Sequence, residues 1–270
     1  IAGFISARGR SHTFDVRADG YARGEAIGTT MCRTAEIAPI KISGSAVGQD
    51  GRSASLTAPN GRAQQKTIVR AQADARREAG SFIMLEAHGT GTALGDPIEA
   101  RSMAEAFLRQ PTLPLATGSL KANAGHTEPG AGIAGLTNSF IQIVNEEVAP
   151  NAQLRTLNPH VVSSMLTYKA RPCFLPLQVA VRSRDIGISE RHVNGVSSFG
   201  YSGILAHTVL ENATASNGTS LSEVRAFGSR GAEVASGGVL ARCSETDTER
   251  SDFERRSMPR LRYRRRAFPW

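Results

Sequence analysis

His88 and His126 are the residues whose type and setting best suit chemistry, because each lies in a glycine-rich loop that follows a short apolar run. His88 opens HGTGTALG, residues 88–95, and His126 lies within KANAGHTEPG, residues 121–130. An imidazole so placed can donate a hydrogen bond to a developing oxyanion or move a proton near neutral pH. Loops this rich in glycine are poor choices for stability alone, so the pair is expected to converge on one site. The competing reading is that each ring satisfies a local hydrogen bond in its own loop. Lys121, Asn123 and Glu128 share the second loop with His126. A cation beside an imidazole opposes its protonation and a carboxylate can order both, which points to a neutral, donating histidine. A solvated loop holding an ion pair is the alternative. No metal is expected, since the nearby acids Glu86, Asp96 and Glu128 show neither HExxH nor another metal-ligand spacing.

Positioning these loops requires strands before them and helices after them. FIMLE, residues 82–86, reads as a short buried strand that runs into the first loop, and residues 115–119 read as a second. Asp96, Pro97 and Glu99 resemble an N-cap, a first-turn proline and a capping-box acid, predicting a helix to about Arg109. A second small-residue helix is expected over residues 130–147. Its Gly130, Gly132 and Gly135 match GxGxxG formally, but they fall inside the helical pattern, which favours close packing over dinucleotide binding. Strand, glycine loop and helix therefore occur twice, which argues an α/β architecture with chemistry at the carboxyl ends of strands.

Upstream, alternation around Ile40 and Ile42 predicts a strand over residues 37–47, with a turn at Gln49-Asp50-Gly51. Residues 63–79 read as an amphipathic helix ending at Gly80, and Pro59-Asn60-Gly61 as a break before it. Residues 151–191 are punctuated by proline and read as irregular. Residues 193–210 suggest two strands joined by a tight turn at Gly200-Tyr201-Ser202-Gly203. Residues 214–250 have linker composition, and residues 251–270 form a basic aromatic tail.

Much of the net charge of +8 comes from arginines between Arg250 and Arg266, without a nucleic-acid recognition motif, so nucleic acid is not an expected partner. No run approaches the roughly 18 apolar residues of a membrane span, and a soluble, intracellular protein of cytoplasm or plastid is expected. The three cysteines, Cys32, Cys173 and Cys243, are dispersed and odd in number, which supports neither a disulfide framework nor a zinc knuckle. The chain opens at Ile1, not at methionine, and further residues upstream are expected.

Taken together, EAHGTGTALGDPIEA (Glu86 to Ala100) and GSLKANAGHTEPGAGIAGL (Gly118 to Leu136) resemble the two histidine motifs of the ketosynthases, the β-ketoacyl synthases of type I polyketide synthases. FDVRADGYARGEA (Phe14 to Ala26) and GVSSFGYSGILAH (Gly195 to His207) extend the likeness, so that residues 1–213 read as a partial ketosynthase domain. The resemblance implies a thiolase-like layered α/β sandwich, here its C-terminal half with the end of the N-terminal half, and a homodimer when complete. It implies decarboxylative Claisen condensation, in which an acyl thioester is joined to malonyl carrier protein during polyketide or fatty acid chain elongation. The chain itself would bind no cofactor, and phosphopantetheine would arrive on acyl carrier protein.

By the same resemblance His88 and His126 bond the malonyl thioester oxygen, Lys121 supports them, and Glu128 and Asn123 assist. Thr90 and Thr92 hold the phosphopantetheine arm, while Tyr201 stands at the gate and its turn supplies an oxyanion donor from the backbone. The sequence departs from the family in three places. None of its cysteines has the DTACSS-like context of the nucleophile, so the isolated chain is expected to be inactive in condensation. Ile204 and Leu205 stand where threonine and asparagine are usual, and residues 28–36 form a short connection. The alternative function is an inactive ketosynthase-like module that serves dimerisation or carrier-protein docking.

Overall fold

The computed structural model describes residues 4–32, 34, 40–53, 58–109, 112–167, 171–176, 181–182 and 192–212. The expected linker over 214–250, the basic tail over 251–270 and most of the short connection's end lie outside those residues. A six-stranded mixed sheet organises the rest. Its strands are β1 (Ile40–Gln49), β2 (Met84–Glu86), β3 (Leu115–Gly118), β5 (Cys173–Phe174), β7 (Val193–Phe199) and β8 (Ile204–Asn212), ordered β1-β8-β7-β2-β3-β5. β7, β2, β3 and β5 run parallel, whereas β1, β8 and β7 pair antiparallel. A separate two-stranded pair joins β4 (Glu147–Val148) to β6 (Val181–Arg182).

Helices cover the sheet because its side chains alternate between faces. Leu85, Val193 and Val209 point into one core with Ile68 and Ala71 of α1 (Gly61–Asp74) and with Ala100, Met103 and Phe107 of α2 (Gly95–Phe107). Residues of opposite parity, Val196 and Leu210, meet Leu136 and Ile143 of α4 (Ala131–Asn145) instead. Gly135 lets α4 approach closely, since a Cβ there would stand 3.3 Å from Cγ of Glu86, which agrees with the packing reading of the GxGxxG match. The remaining helices are α3 (Lys121–Ala124) and α5 (Pro159–Leu166). No described helix is long and apolar enough to cross a membrane.

Several boundaries differ from expectation for local physical reasons. Asn60, read as a break, caps α1 by accepting from the amides of Arg62 and Ala63. The helix stops at Asp74, and residues 79–81 form a separate short 3-10 turn. Asp96 is inside the first turn of α2 and is not its N-cap; its carboxylate is taken up elsewhere. The stretch 151–191 is not wholly irregular, because Asn158 caps α5 through the amide of His160 and Pro159 starts that helix.

Candidate active site

The carboxyl ends of β2 and β3 lie side by side, and the loops leaving them carry the two histidines. Their rings stand edge to face with centroids 5.5 Å apart. Parallel pairing continues one step past β2, where the amide of Ala87 donates to the carbonyl of Gly118 at 2.8 Å. The chain then turns through Gly89 at φ +47°, where a Cβ would stand 2.7 Å from both Ser119 and Thr13. Only glycine fits that crossing.

The carboxylates that looked like a helix start fasten this loop. Glu99 accepts from the amides of His88 and Gly89 at 2.6 and 2.7 Å, one oxygen to each. Asp96 accepts from Gly91 at 3.0 Å and from Phe14 at 2.7 Å. Residues 13–24 supply the outer wall. The Thr13 hydroxyl donates to the carbonyl of Gly89, and the Gly20 amide donates to that of Gly91. Sequence reading missed this wall and the outward reach of both acids. The D-P-x-E spacing was a signal for them, but it reads equally well as helix capping.

His126 is held differently. Its amide donates to the carbonyl of Ala22 at 2.7 Å, and its carbonyl accepts from Gly24 at 2.8 Å, so residues 22–24 pair with it as in a strand. The Tyr21 ring meets the imidazole edge at a centroid distance of 4.8 Å. Each histidine then has its Nδ1 engaged by a backbone amide, from Phe199 for His88 at 3.2 Å and from Glu128 for His126 at 3.0 Å. A backbone amide can only donate, so Nδ1 accepts and the proton of each neutral ring is assigned to Nε2. The contribution of Phe199 comes through its main chain and left no sign in the sequence.

Electrostatics keep both rings uncharged. Burial, then the Lys121 ammonium, then the neighbouring His126 hold His88 well below the usual histidine range. Burial and then Lys121 lower His126 to about 4, against an opposing pull from Glu128. Lys121 is itself buried, which lowers its pKa, and Glu86, Glu99 and Asp96 oppose that fall. The acids that compensate Lys121 are thus these three. Glu128 is turned toward Arg23 and Tyr21, each 3.2 Å from its Oε1, which corrects the expected place of that acid beside the lysine.

Among the other expected residues, Asn123 faces away from the rings in its bonding. It donates to the carbonyl of Pro150 and accepts from the amide of Ala152, so it fastens the turn to the next segment. The hydroxyls of Thr90 and Thr92 are 3.2 Å apart in the glycine loop, and that of Thr92 also accepts from Gly95. Tyr201 is 69% exposed on the β7–β8 turn, with its ring edge to face against Phe4. That turn closes through its own backbone, from Gly200 to the carbonyl of Ile204 and from Gly203 to that of Gly200, while Leu205 points into the core. Cys32 is exposed, Cys173 lies on β5 with its thiol pushed up by burial, and Cys243 is outside the described residues. Among the described residues, no group of three His, Cys, Asp or Glu side chains is placed to hold a metal ion.

Comparison with known proteins agrees with this architecture. The family model for the C-terminal domain of β-ketoacyl synthases matches residues 40–155. A phenolphthiocerol/phthiocerol polyketide synthase of Mycobacterium tuberculosis is 38% identical over 218 residues, which is 77% of this chain and 11% of that protein. The 6-methylsalicylic acid synthase of Aspergillus niger is 35% identical over 223 residues, or 78% of this chain and 12% of that one. An oxazolomycin ketosynthase domain from Streptomyces albus superposes with a TM-score of 0.65 at 29% identity, covering 78% of this chain and 38% of the other. The ketosynthase from module 6 of the bacillaene synthase of Bacillus subtilis gives the same TM-score at 27% identity, covering 79% and 39%. The chain therefore spans about a tenth of the length of these two relatives and under two fifths of the solved ketosynthase chains.

Proposed function

The chain belongs to the β-ketoacyl synthase family, as a C-terminal ketosynthase region with the thiolase-like fold, and from that premise we propose that its two histidines stabilise the enolate of decarboxylative Claisen condensation. In that reaction the malonyl thioester loses carbon dioxide, and the electron pair of the broken C–C bond moves onto the thioester oxygen. The enolate carbon then attacks the carbonyl carbon of the acyl thioester, forming the new C–C bond as the C–S bond breaks and the thiolate that carried the acyl group leaves. The observation that carries the reading is the pair of rings 5.5 Å apart, each with Nδ1 taken by a backbone amide. Two Nε2–H donors are left for one oxygen. Their lowered pKa values keep them from charging near neutral pH, and fixed donors of this kind are each worth about 10²- to 10³-fold in rate.

Lys121 would act through its charge, holding both imidazoles neutral. Thr90 and Thr92 would meet the polar phosphopantetheine arm of acyl carrier protein, and Tyr201 would gate the entry, with homodimerisation and an intracellular setting as in a complete synthase. The acyl group would sit on a cysteine supplied by ketosynthase sequence other than Cys32 or Cys173, since one is exposed and the thiolate of the other is disfavoured.

The test uses a ketosynthase that carries this region together with the nucleophile motif. His88→Ala and His126→Ala should each cut malonyl decarboxylation by about 10²-fold or more while largely sparing acylation. Equal loss of both steps would make the histidines structural. The 270-residue chain alone should take up no acyl group from acyl carrier protein by intact mass spectrometry, and a stoichiometric adduct on any of its cysteines would refute that part.

A further inference from the structure

Glu86 is a buried acid at the very end of β2, two residues before His88, and its side chain lies on the α4 face of the sheet. One carboxylate oxygen accepts from the amide of Leu120 at 2.6 Å, and the other accepts from the side-chain amide of Asn138 on α4 at 2.8 Å. Leu120 is the hub of the next loop. Its carbonyl accepts from both Asn123 and Ala124, which closes the turn that presents Lys121 and leads to His126. An apolar residue at this position would pack the helix-sheet interface without the cost of burying an acid. The bond to a main-chain amide of the other loop gives the acid a purpose that packing does not.

We propose that Glu86 is a positioning residue for the histidine pair, its one carboxylate tying the strand that carries His88 to the turn that carries Lys121 and His126. The inference rests on reading those histidines as a single enolate-stabilising site. The charged groups facing Glu86 are Lys121 from the turn and Glu99 from α2, and Lys121 is in turn faced by Glu99 and Asp96. Burial raises Glu86 to about 7, while the Leu120 amide, Lys121 and Asn138 draw it back. The charge on Glu86 favours the ammonium form of Lys121, so removing it must move the lysine titration downward.

The chain has four lysines, Lys41, Lys66, Lys121 and Lys169, so each side-chain ammonium can be followed by NMR in lysine-labelled protein, with Lys121→Arg identifying the signal. Glu86→Gln keeps an oxygen for the Leu120 amide but loses the charge. In it the Lys121 midpoint should fall by about 1 to 3 pH units, the range for an opposite charge nearby. A midpoint unchanged from the parent chain would overturn the proposal. Where Glu86→Gln does not fold, Glu86→Asp decides. It keeps the charge on a shorter arm, so the Lys121 midpoint should hold while the Leu120 amide exchanges about tenfold faster. Unchanged exchange at Leu120 would also overturn it. Neither readout needs turnover, so a failure here is distinct from a failure of the enolate reading, which the decarboxylation assay decides.

Discussion

The His88 loop and the His126 loop present the same group to the same space, but the bonds nearest each histidine differ in kind. His88 hangs from buried carboxylates, Glu99 on its own amide and Asp96 on Gly91. His126 hangs from main-chain pairing with residues 22–24, dressed by the exposed Arg23–Glu128 ion pair. A buried acceptor concentrates the strength of an anchor in one replaceable side chain. A backbone ladder spreads it over atoms that no substitution removes. The two loops should therefore respond very differently to mutation and to pH.

The largest effect is expected at Glu99. Glu99→Ala leaves the amides of His88 and Gly89 without their acceptor, which at about 1–3 kcal/mol for each lost partner should lower stability by about 2–6 kcal/mol. A urea titration measures it, and a loss below about 1 kcal/mol would show that the first loop is not carried by its acids.

The next effect is in pH dependence, where the acids that anchor the first loop and the buried imidazoles should pull in opposite directions. Burial raises Asp96 from 3.8 to about 7 in the folded chain, so its penalty is absent below 3.8 and grows as the pH rises through 7. His126 is lowered from 6.5 to about 4, so its penalty is absent above 6.5 and grows as the pH falls toward 4. Glu86 and Glu99 share the sign of Asp96, and His88 and His207 that of His126. Thermal midpoints between about pH 4 and 7 should rise more steeply with pH in Asp96→Asn than in the parent chain, and less steeply in His126→Asn. Identical slopes in all three would erase the distinction.

The smallest effect is expected at the surface pair. Arg23 and Glu128 side chains are 67% and 42% exposed, so Arg23→Ala should cost under about 1 kcal/mol and leave the His126 ring shifts in place. A larger loss would mean that the ion pair, and not the backbone pairing, holds the second loop.

What was legible in the sequence follows the same division. The glycine loops, the strands before them and the helices after them could be read because they depend on local rules, namely which residues tolerate φ above zero and which periodicity faces a core. The helix over 159–166 was not legible, because its start signal, Asn158 followed by Pro159, lies in a stretch whose other prolines suggested an irregular run. The destinations of Asp96 and Glu99 were hidden for a related reason. Carboxylates near a helix start look alike in sequence whether they cap that helix or reach back to a loop before it, as Asp96 in the first turn reaches Gly91 and Glu99 just beyond it reaches His88.

The sequence by itself determined the chemical identity of the site, its two imidazoles and one lysine in glycine loops, and the α/β class that places such loops at strand ends. Only the tertiary structure decided the tautomer of His88, because the amide of Phe199 comes from β7, more than a hundred residues away, and a hydrogen bond of that kind has no sequence pattern, whereas His126 takes its partner from Glu128 two residues on. The same holds for the partners of Lys121. Its neighbour in sequence, Glu128, is drawn outward to Arg23, while Glu86, Asp96 and Glu99 arrive from β2 and α2. Charges select their partners by distance in the folded core, where low dielectric strengthens what is near, and nearness is a property of packing and not of spacing along the chain.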